Sequence, residues 1–114
     1  MRLPWWLPFG KVREIAPADL AARLAGADRP QLLDVRTAGE FERDHLPGAV
    51  NVPITELPAR LARLPLDRDR PVVAICLSAH RSIPAVRLLA RAGYRDASQL
   101  AGGMLAWWRA RGQR

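Results

Sequence analysis

Short apolar segments alternate with helical patterns along most of this 114-residue chain. Strands are predicted at 12–15, 31–35, 49–52, 71–76 and 97–100. Helical patterns are found at 19–25, after Thr37, at 57–64, at 82–92 and at 104–111. Strands that alternate with helices form a mainly parallel sheet with helices on both faces, so the predicted class is α/β. In such sheets, ligands bind beyond the carboxyl ends of the strands.

Local signals mark where two of the helices begin. Thr37 and Glu40 have the spacing of a capping box, in which each side chain satisfies a free backbone N–H of the other. Ser82 is predicted as the N-cap of the 82–92 helix, with Pro84 in the first turn. Pro47 and Gly48 form a turn signal between the short helix and the next strand.

Cys76, the only cysteine, ends the most apolar strand. A single thiol excludes an internal disulfide framework and is typical of a reducing compartment. A tight turn from Cys76 into the next helix would point backbone N–H groups inward, and Arg81 adds a permanent cation. Such a turn stabilises a thiolate and any anion bound to it, which predicts a nucleophile. The alternative is an inert core cysteine.

The charge of the chain does not indicate a nucleic-acid site. The net charge is +7, and the arginines are scattered from Arg2 to Arg114 with no dense block. Because recognition of nucleic acid needs a basic patch, we expect a solvated basic surface and no nucleic-acid partner. The apolar fraction of 49% and the charged fraction of 25% are those of an ordinary globular domain.

Residues 1–11 form an apolar, aromatic extension ahead of a single domain at 12–112. The extension is too short to cross a bilayer, and its prolines and the lack of a cleavage site argue against a signal peptide. Trp5, Trp6 and Phe9 are expected to pack on the domain's own flank; the alternative is a membrane interface or a partner surface. No other stretch has membrane length, so a cytoplasmic location is expected.

Three segments, in order, resemble the signatures of the rhodanese sulfurtransferases. They are "LLDVRTAGEFERDHLPGAVNVP" (32–53), "CLSAHRS" (76–82) and "LAGGMLAWW" (100–108). The middle segment carries a cysteine and an arginine separated by four residues. The resemblance covers residues 12–112 and implies a rhodanese-like fold.

The resemblance also implies an activity. Cys76 would take the sulfane sulfur of a small anionic donor such as thiosulfate as a persulfide, and pass it to cyanide or a thiol. Protein donors or acceptors are a variant of the same chemistry, and neither a metal nor an organic cofactor is expected. The residues expected to bind the substrate, mainly through backbone amides, are Leu77, Ser78, Ala79, His80, Arg81 and Ser82.

Four further residues are interpreted as structural support. Asp34, Arg36, Glu40 and His45 could form an acid/base set, but a network that fixes the loops is favoured, because buried charges persist only with partners. His80 is either a surface residue or a cation that recruits the anionic donor.

The chain departs from the family pattern at three positions. Leu77 stands where a second basic residue is common, and Ala79 and Asp44 stand where glycine is common. The mouth of the site is therefore less cationic than in the best users of thiosulfate. If the loop requires a positive φ at Ala79, alanine costs about 1 kcal/mol there.

Two rival functions remain open from the sequence. Cysteine phosphatases and arsenate reductases have a related loop, but with five residues between cysteine and arginine instead of the four found here. A non-catalytic rhodanese-like module for binding or regulation usually lacks the cysteine, which this chain has.

Overall fold

The protein is described by a computed structural model that covers residues 4–112. Its strands are β1 (Glu14–Ile15), β2 (Gln31–Asp34), β3 (Val50–Asn51), β4 (Val72–Ile75) and β5 (Ala97–Leu100). Its helices are α1 (Pro17–Ala25), α2 (Ala38–Arg43), α3 (Leu57–Arg60, continued by a 3-10 turn at Leu61–Arg63), α4 (Ser82–Arg91) and α5 (Gly103–Ala110). The sheet order is β1-β5-β4-β2-β3, and every strand pair is parallel. The predicted α/β class is confirmed.

Helices pack on both faces of the central strand β4. Val72, Ala74 and Cys76 belong to the core cluster that α3 and α4 complete, whereas Val73 and Ile75 belong to the cluster completed by α1 and α5. Successive side chains of a strand point to opposite faces, so one buried strand serves two cores. The thiol of Cys76 therefore lies on the α4 side of the sheet.

The edge strands differ most from the sequence prediction. β1 and β3 have two residues each, where four were predicted for each. Both are edge strands of the sheet, each paired on one side only. Helix α1 begins at Pro17, two residues before its predicted start, because proline is well suited to the first turn.

The described part of the N-terminal extension lies on α4. Arg87 donates hydrogen bonds to the carbonyl oxygens of Pro4, Leu7 and Phe9 at 3.3, 2.7 and 2.5 Å. Trp5 packs against the α4-side core, as expected, but Trp6 and Phe9 are 59% and 53% exposed. The expectation is therefore wrong for these two rings, because the segment is held largely by its backbone carbonyls.

Residues 1–3 of the predicted extension lie outside the described residues, as do residues 113–114. Within 4–112, none of the helices has the length and apolar character needed to cross a bilayer.

Candidate active site

The loop 77–81 connects β4 to α4 and wraps around the sulfur of Cys76. Cys76 follows the last residue of β4 and is 1% exposed. Its Sγ accepts a hydrogen bond from the backbone N–H of Arg81 at 3.2 Å. A backbone donor aimed at the sulfur stabilises negative charge there. The geometry agrees with the turn predicted from the sequence.

Ala79 lies in the left-handed region, with a φ of 77°. Within the described residues it is the only residue other than glycine with a positive φ. This conformation costs an L-residue about 1–2 kcal/mol, and it is the position at which glycine was noted as common. The loop therefore has the strained geometry that the sequence suggested.

Helix α5 fixes the start of the loop from the other side. The backbone N–H groups of Met104 and Leu105 donate to the carbonyl oxygens of Cys76 and Leu77 at 2.8 and 3.0 Å. Gly103 has a φ of 63°, and a Cβ there would lie 2.5 Å from the carbonyl oxygen of Cys76. Only glycine allows this close approach without a shift of the backbone.

Arg81 is bound by Glu40 of α2. Its guanidinium donates from Nη1 and Nη2 to the two carboxylate oxygens at 2.6 and 2.9 Å. The hydrogen bonds from Arg81 lower the pKa of Glu40 to about 2, and Thr37 contributes in the same direction. The Glu40 carboxylate in turn raises the pKa of Arg81. Arg81 therefore ties the loop to α2 as well as placing a positive charge near the sulfur.

The predicted capping box explains how Glu40 is held. Thr37 Oγ1 accepts from the backbone N–H of Glu40 at 3.2 Å, and Glu40 Oε1 accepts from the backbone N–H of Thr37 at 2.9 Å. The same carboxylate that caps α2 thus also receives Arg81.

A buried ion pair fixes the end of β2. The Arg36 guanidinium donates to both carboxylate oxygens of Asp34, with 2.8 Å between Nη2 and Oδ2, and neither side chain is more than 2% exposed. Arg36 also donates to the carbonyl oxygen of Asp44 at 2.7 Å. The Asn51 amide donates to the carbonyl oxygens of both Asp34 and Arg36. Every buried charge here has a partner, as burial requires.

The four supporting residues do not form one network. Asp34 pairs with Arg36, Glu40 pairs with Arg81, and the hydrogen bond of exposed His45 goes to Phe41. The Nδ1 of His45 donates to the carbonyl oxygen of Phe41 at 2.7 Å, and the two rings stack with 3.7 Å between centroids. The expectation that these four residues are one another's hydrogen-bonding partners is therefore wrong for His45, because its ring bonds to and stacks on Phe41 of α2.

The structure also gives the positions of Ser78, His80 and Ser82. Ser78 Oγ lies 3.0 Å from His80 Nδ1, and both residues are exposed. The predicted N-cap role of Ser82 is wrong, because Ser82 is the first helical residue and Arg81 occupies the N-cap position. The buried Ser82 hydroxyl donates to Gln99 Oε1 at 2.6 Å, so its side chain faces the sheet and not the loop.

Within the described residues, no group of three or more His, Cys, Asp and Glu side chains is arranged to hold a metal ion. The candidate site contains one thiol, a backbone donor to its sulfur, and the guanidinium of Arg81.

The sequence also matches known proteins. The family model described as "Rhodanese-like domain" matches residues 16–110. The chain belongs to the rhodanese-like domain family. A sulfurtransferase of Allochromatium vinosum is 38% identical over 98 residues, which is 86% of this chain and 90% of that protein.

The domain also occurs in longer proteins. An HTH-type transcriptional regulator of Mycobacterium tuberculosis, Rv0324, is 46% identical over 78 residues, or 67% of this chain, and this chain spans only 33% of its length. Among solved structures, the human single-domain sulfurtransferase TSTD1 has a TM-score of 0.77 at 25% identity, covering 87% of this chain and 97% of that one. The recognition of a rhodanese-like fold from the sequence is confirmed.

Sequence reasoning missed three contributors to the site. The close approach of Gly103, the double hydrogen bond from Asn51 and the contact of Trp108 with Asp44 were not predicted. Paired glycines directly before a helix were the available signal for Gly103. Nothing local in the sequence indicates the other two contacts.

Proposed function

We propose that this rhodanese domain is a sulfurtransferase that carries a sulfane sulfur on Cys76. The chain is a member of a family that includes sulfurtransferases, and the donors and acceptors are our proposal. The observation that supports it best is the hydrogen bond from the Arg81 backbone N–H to Cys76 Sγ at 3.2 Å. That donor stabilises the thiolate that must attack, and later leave.

The first half-reaction loads the protein. The Cys76 thiolate attacks the outer sulfur of thiosulfate, the bond between the two thiosulfate sulfurs breaks, and its electron pair leaves with sulfite. Cys76 is then an ionised persulfide. In the second half-reaction, cyanide attacks the outer sulfur, thiocyanate leaves, and the electron pair of the broken bond restores the Cys76 thiolate. A thiol is the proposed biological acceptor, and a protein can provide either donor or acceptor.

The loop residues Leu77 to Ser82 are proposed to hold the persulfide and the donor, chiefly through the backbone. Arg81 is proposed to act in two ways. Its guanidinium is engaged by Glu40, which supports a role in loop order, and its charge lies near the sulfur that receives the anion. Asp34 and Arg36 fix the neighbouring strand end.

The proposed catalytic unit is residues 12–112, with residues 1–11 as an extension. Cys76 is the only cysteine of the chain, and its thiol must stay reduced between turnovers. Since reducing compartments maintain free thiols, the cytoplasm is the proposed location.

Steady-state transfer from thiosulfate to cyanide tests the proposal. The parent protein should form thiocyanate with parallel lines in a double-reciprocal plot, as a two-step covalent mechanism requires. Cys76→Ser should reduce the rate to the uncatalysed background. Turnover that survives in this variant would rule out a persulfide on Cys76.

A displaced thiol is the matched control. In Cys76→Ser combined with Ser78→Cys, the thiol is moved to an exposed loop position. This double variant should also be inactive, because the thiol is no longer placed at the backbone donor that binds Sγ. Equal activity in the double variant and the parent would show that any thiol on the loop suffices.

A further inference from the structure

A small cavity opens beside the loop that follows the proposed nucleophile, and Cys76 itself is not one of its lining residues. Its volume is about 190 Å³, and its lining residues are Arg36, Glu40, Arg43, Asp44, Leu77 and Trp108. Leu77 directly follows Cys76 in the chain. This volume is large enough for several water molecules, and hence for a small ligand. It is smaller than a typical cavity for a drug-sized ligand.

Two of the four charged residues in this cavity are already neutralised. Arg36 is bound by Asp34 and by the carbonyl oxygen of Asp44. The Glu40 carboxylate is bound by Arg81. Neither group has an uncompensated charge to offer a ligand.

The other two charged residues, Arg43 and Asp44, are adjacent and not paired. Within residues 4–112, Arg43 has no hydrogen-bonded or ion-paired partner, and it is exposed. Asp44 Oδ2 accepts a hydrogen bond from the indole Nε1–H of Trp108 at 2.7 Å, which orients the carboxylate without neutralising it. The cavity thus offers one cation and one fixed anion, with Leu77 and the Trp108 ring as apolar walls.

From this arrangement we infer that the cavity selects a thiol acceptor with an amino-acid head group, of which free cysteine is the simplest. The ligand carboxylate would pair with the Arg43 guanidinium, whose planar fork suits a carboxylate, and the ligand ammonium would pair with Asp44. The ligand thiol would then lie toward Leu77, the loop residue that directly follows Cys76. The inference rests on the proposed sulfur transfer and names its acceptor.

The transfer step is balanced without a further reactant. The acceptor thiol first gives its proton to the ionised Cys76 persulfide, and the resulting acceptor thiolate attacks the outer sulfur of the protonated persulfide. The bond between that sulfur and Sγ breaks, its electron pair stays on Sγ, and Cys76 leaves as a thiolate. The acceptor becomes a persulfide that keeps the proton.

Four thiols and two variants test the inference. Protein loaded from thiosulfate is mixed with cysteine, 3-mercaptopropionate, cysteamine or 2-mercaptoethanol, which carry both charged groups, the carboxylate alone, the ammonium alone, or neither. Each rate is divided by the rate of the same protein with cyanide. The variant-to-parent ratio is then compared for each thiol, so that differences in thiol pKa and nucleophilicity cancel.

Arg43→Gln should lower the ratio about three- to tenfold for cysteine and 3-mercaptopropionate only. Asp44→Asn, which retains an oxygen acceptor for the Trp108 indole, should lower it by a similar factor for cysteine and cysteamine only. The control variants Glu42→Gln and Arg63→Gln remove exposed charges that do not line the cavity, and should leave every ratio unchanged. An equal response of all four thiols, or no response of cysteine, would overturn the inference.

A binding measurement separates this inference from the proposed function. S-methylcysteine has the same head group but no thiol, and it is titrated into unloaded protein while the indole N–H resonance of Trp108 is followed by NMR. We expect saturable shifts, with a Kd raised about three- to tenfold in either variant. Saturable binding without sulfur loading would mean that only the sulfur transfer is wrong. Loading without saturable binding would mean that the acceptor assignment is wrong.

Discussion

The Ala79→Gly variant should have a higher free energy of unfolding than a variant in which a helical alanine is replaced by glycine. Ala79 has a φ of 77°, a conformation that costs alanine about 1–2 kcal/mol and glycine almost nothing. Glycine also frees the unfolded chain, at a cost of about 1 kcal/mol. The net change in the free energy of unfolding should therefore lie between about zero and +1 kcal/mol.

Ala22→Gly is the matched control. Ala22 is exposed in α1 and has helical backbone angles, so glycine should cost about 1 kcal/mol there. Both substitutions remove the same methyl group and free the unfolded chain equally. The difference between the two variants thus isolates the cost of the left-handed conformation, about 1–2 kcal/mol.

Urea unfolding followed by far-UV circular dichroism gives both free energies, and thermal unfolding should separate the two midpoints by about 4–8 °C for each 1 kcal/mol of that difference. The urea m-values should match that of the parent, because the exposed surface is the same. If Ala79→Gly is as destabilising as Ala22→Gly, the argument from loop strain is refuted.

Contacts around the loop determine how three further substitutions should act. Glu40→Gln keeps a capping-box side chain but removes the charge paired with Arg81. Because folding lowers the pKa of Glu40 to about 2, the stabilising effect of its charge should be complete above about pH 5 and be lost as pH falls toward 2. The free energies of unfolding of parent and variant in urea should therefore converge near pH 2, whereas Glu42→Gln should show no such trend. Arg81→Lys keeps the charge and loses the two-pronged contact with Glu40, so thiocyanate formation should fall about tenfold in kcat/KM; a value equal to that of the parent would reduce Arg81 to a diffuse charge. Gly103→Ala should lower both the free energy of unfolding and the transfer rate, because the new Cβ would lie 2.5 Å from backbone atoms of the loop. A Cβ at Gly39 would meet nothing within 4 Å, so Gly39→Ala should preserve both, and equal behaviour of the two variants would contradict the close approach.

The sequence predicted most of the elements because their signals are local. Strand β5 has the predicted bounds, α4 ends one residue before its predicted end, and the capping box at Thr37 forms as expected. These features depend on residues a few positions apart, so patterns of apolar and capping residues suffice to find them.

The errors share a physical cause, which is competition from tertiary contacts. Ser82 has a typical capping side chain, but its hydroxyl is buried against Gln99 and is used there instead. His45 lies in a family signature, yet it bonds to Phe41 in α2, the helix that ends just before it.

Contacts between distant residues were beyond sequence reasoning. The partners Glu40 and Arg81 are 41 residues apart, and Asp44 and Trp108 are 64 apart. Their residue types are compatible with many pairings, and only the fold selects one. The acceptor cavity therefore could not be seen before the structure, whereas the nucleophile could, since it follows directly from one cysteine at the end of one buried strand.

The most direct test of the account is the intact mass of the protein after thiosulfate is added and removed. The account predicts a gain of one sulfur atom in the parent, none in Cys76→Ser, and complete loss of that sulfur when cyanide is added, with one thiocyanate released for each sulfur lost. An unchanged mass in folded parent protein, or a sulfur gained equally by the serine variant, would contradict the claim that Cys76 carries the transferred sulfur.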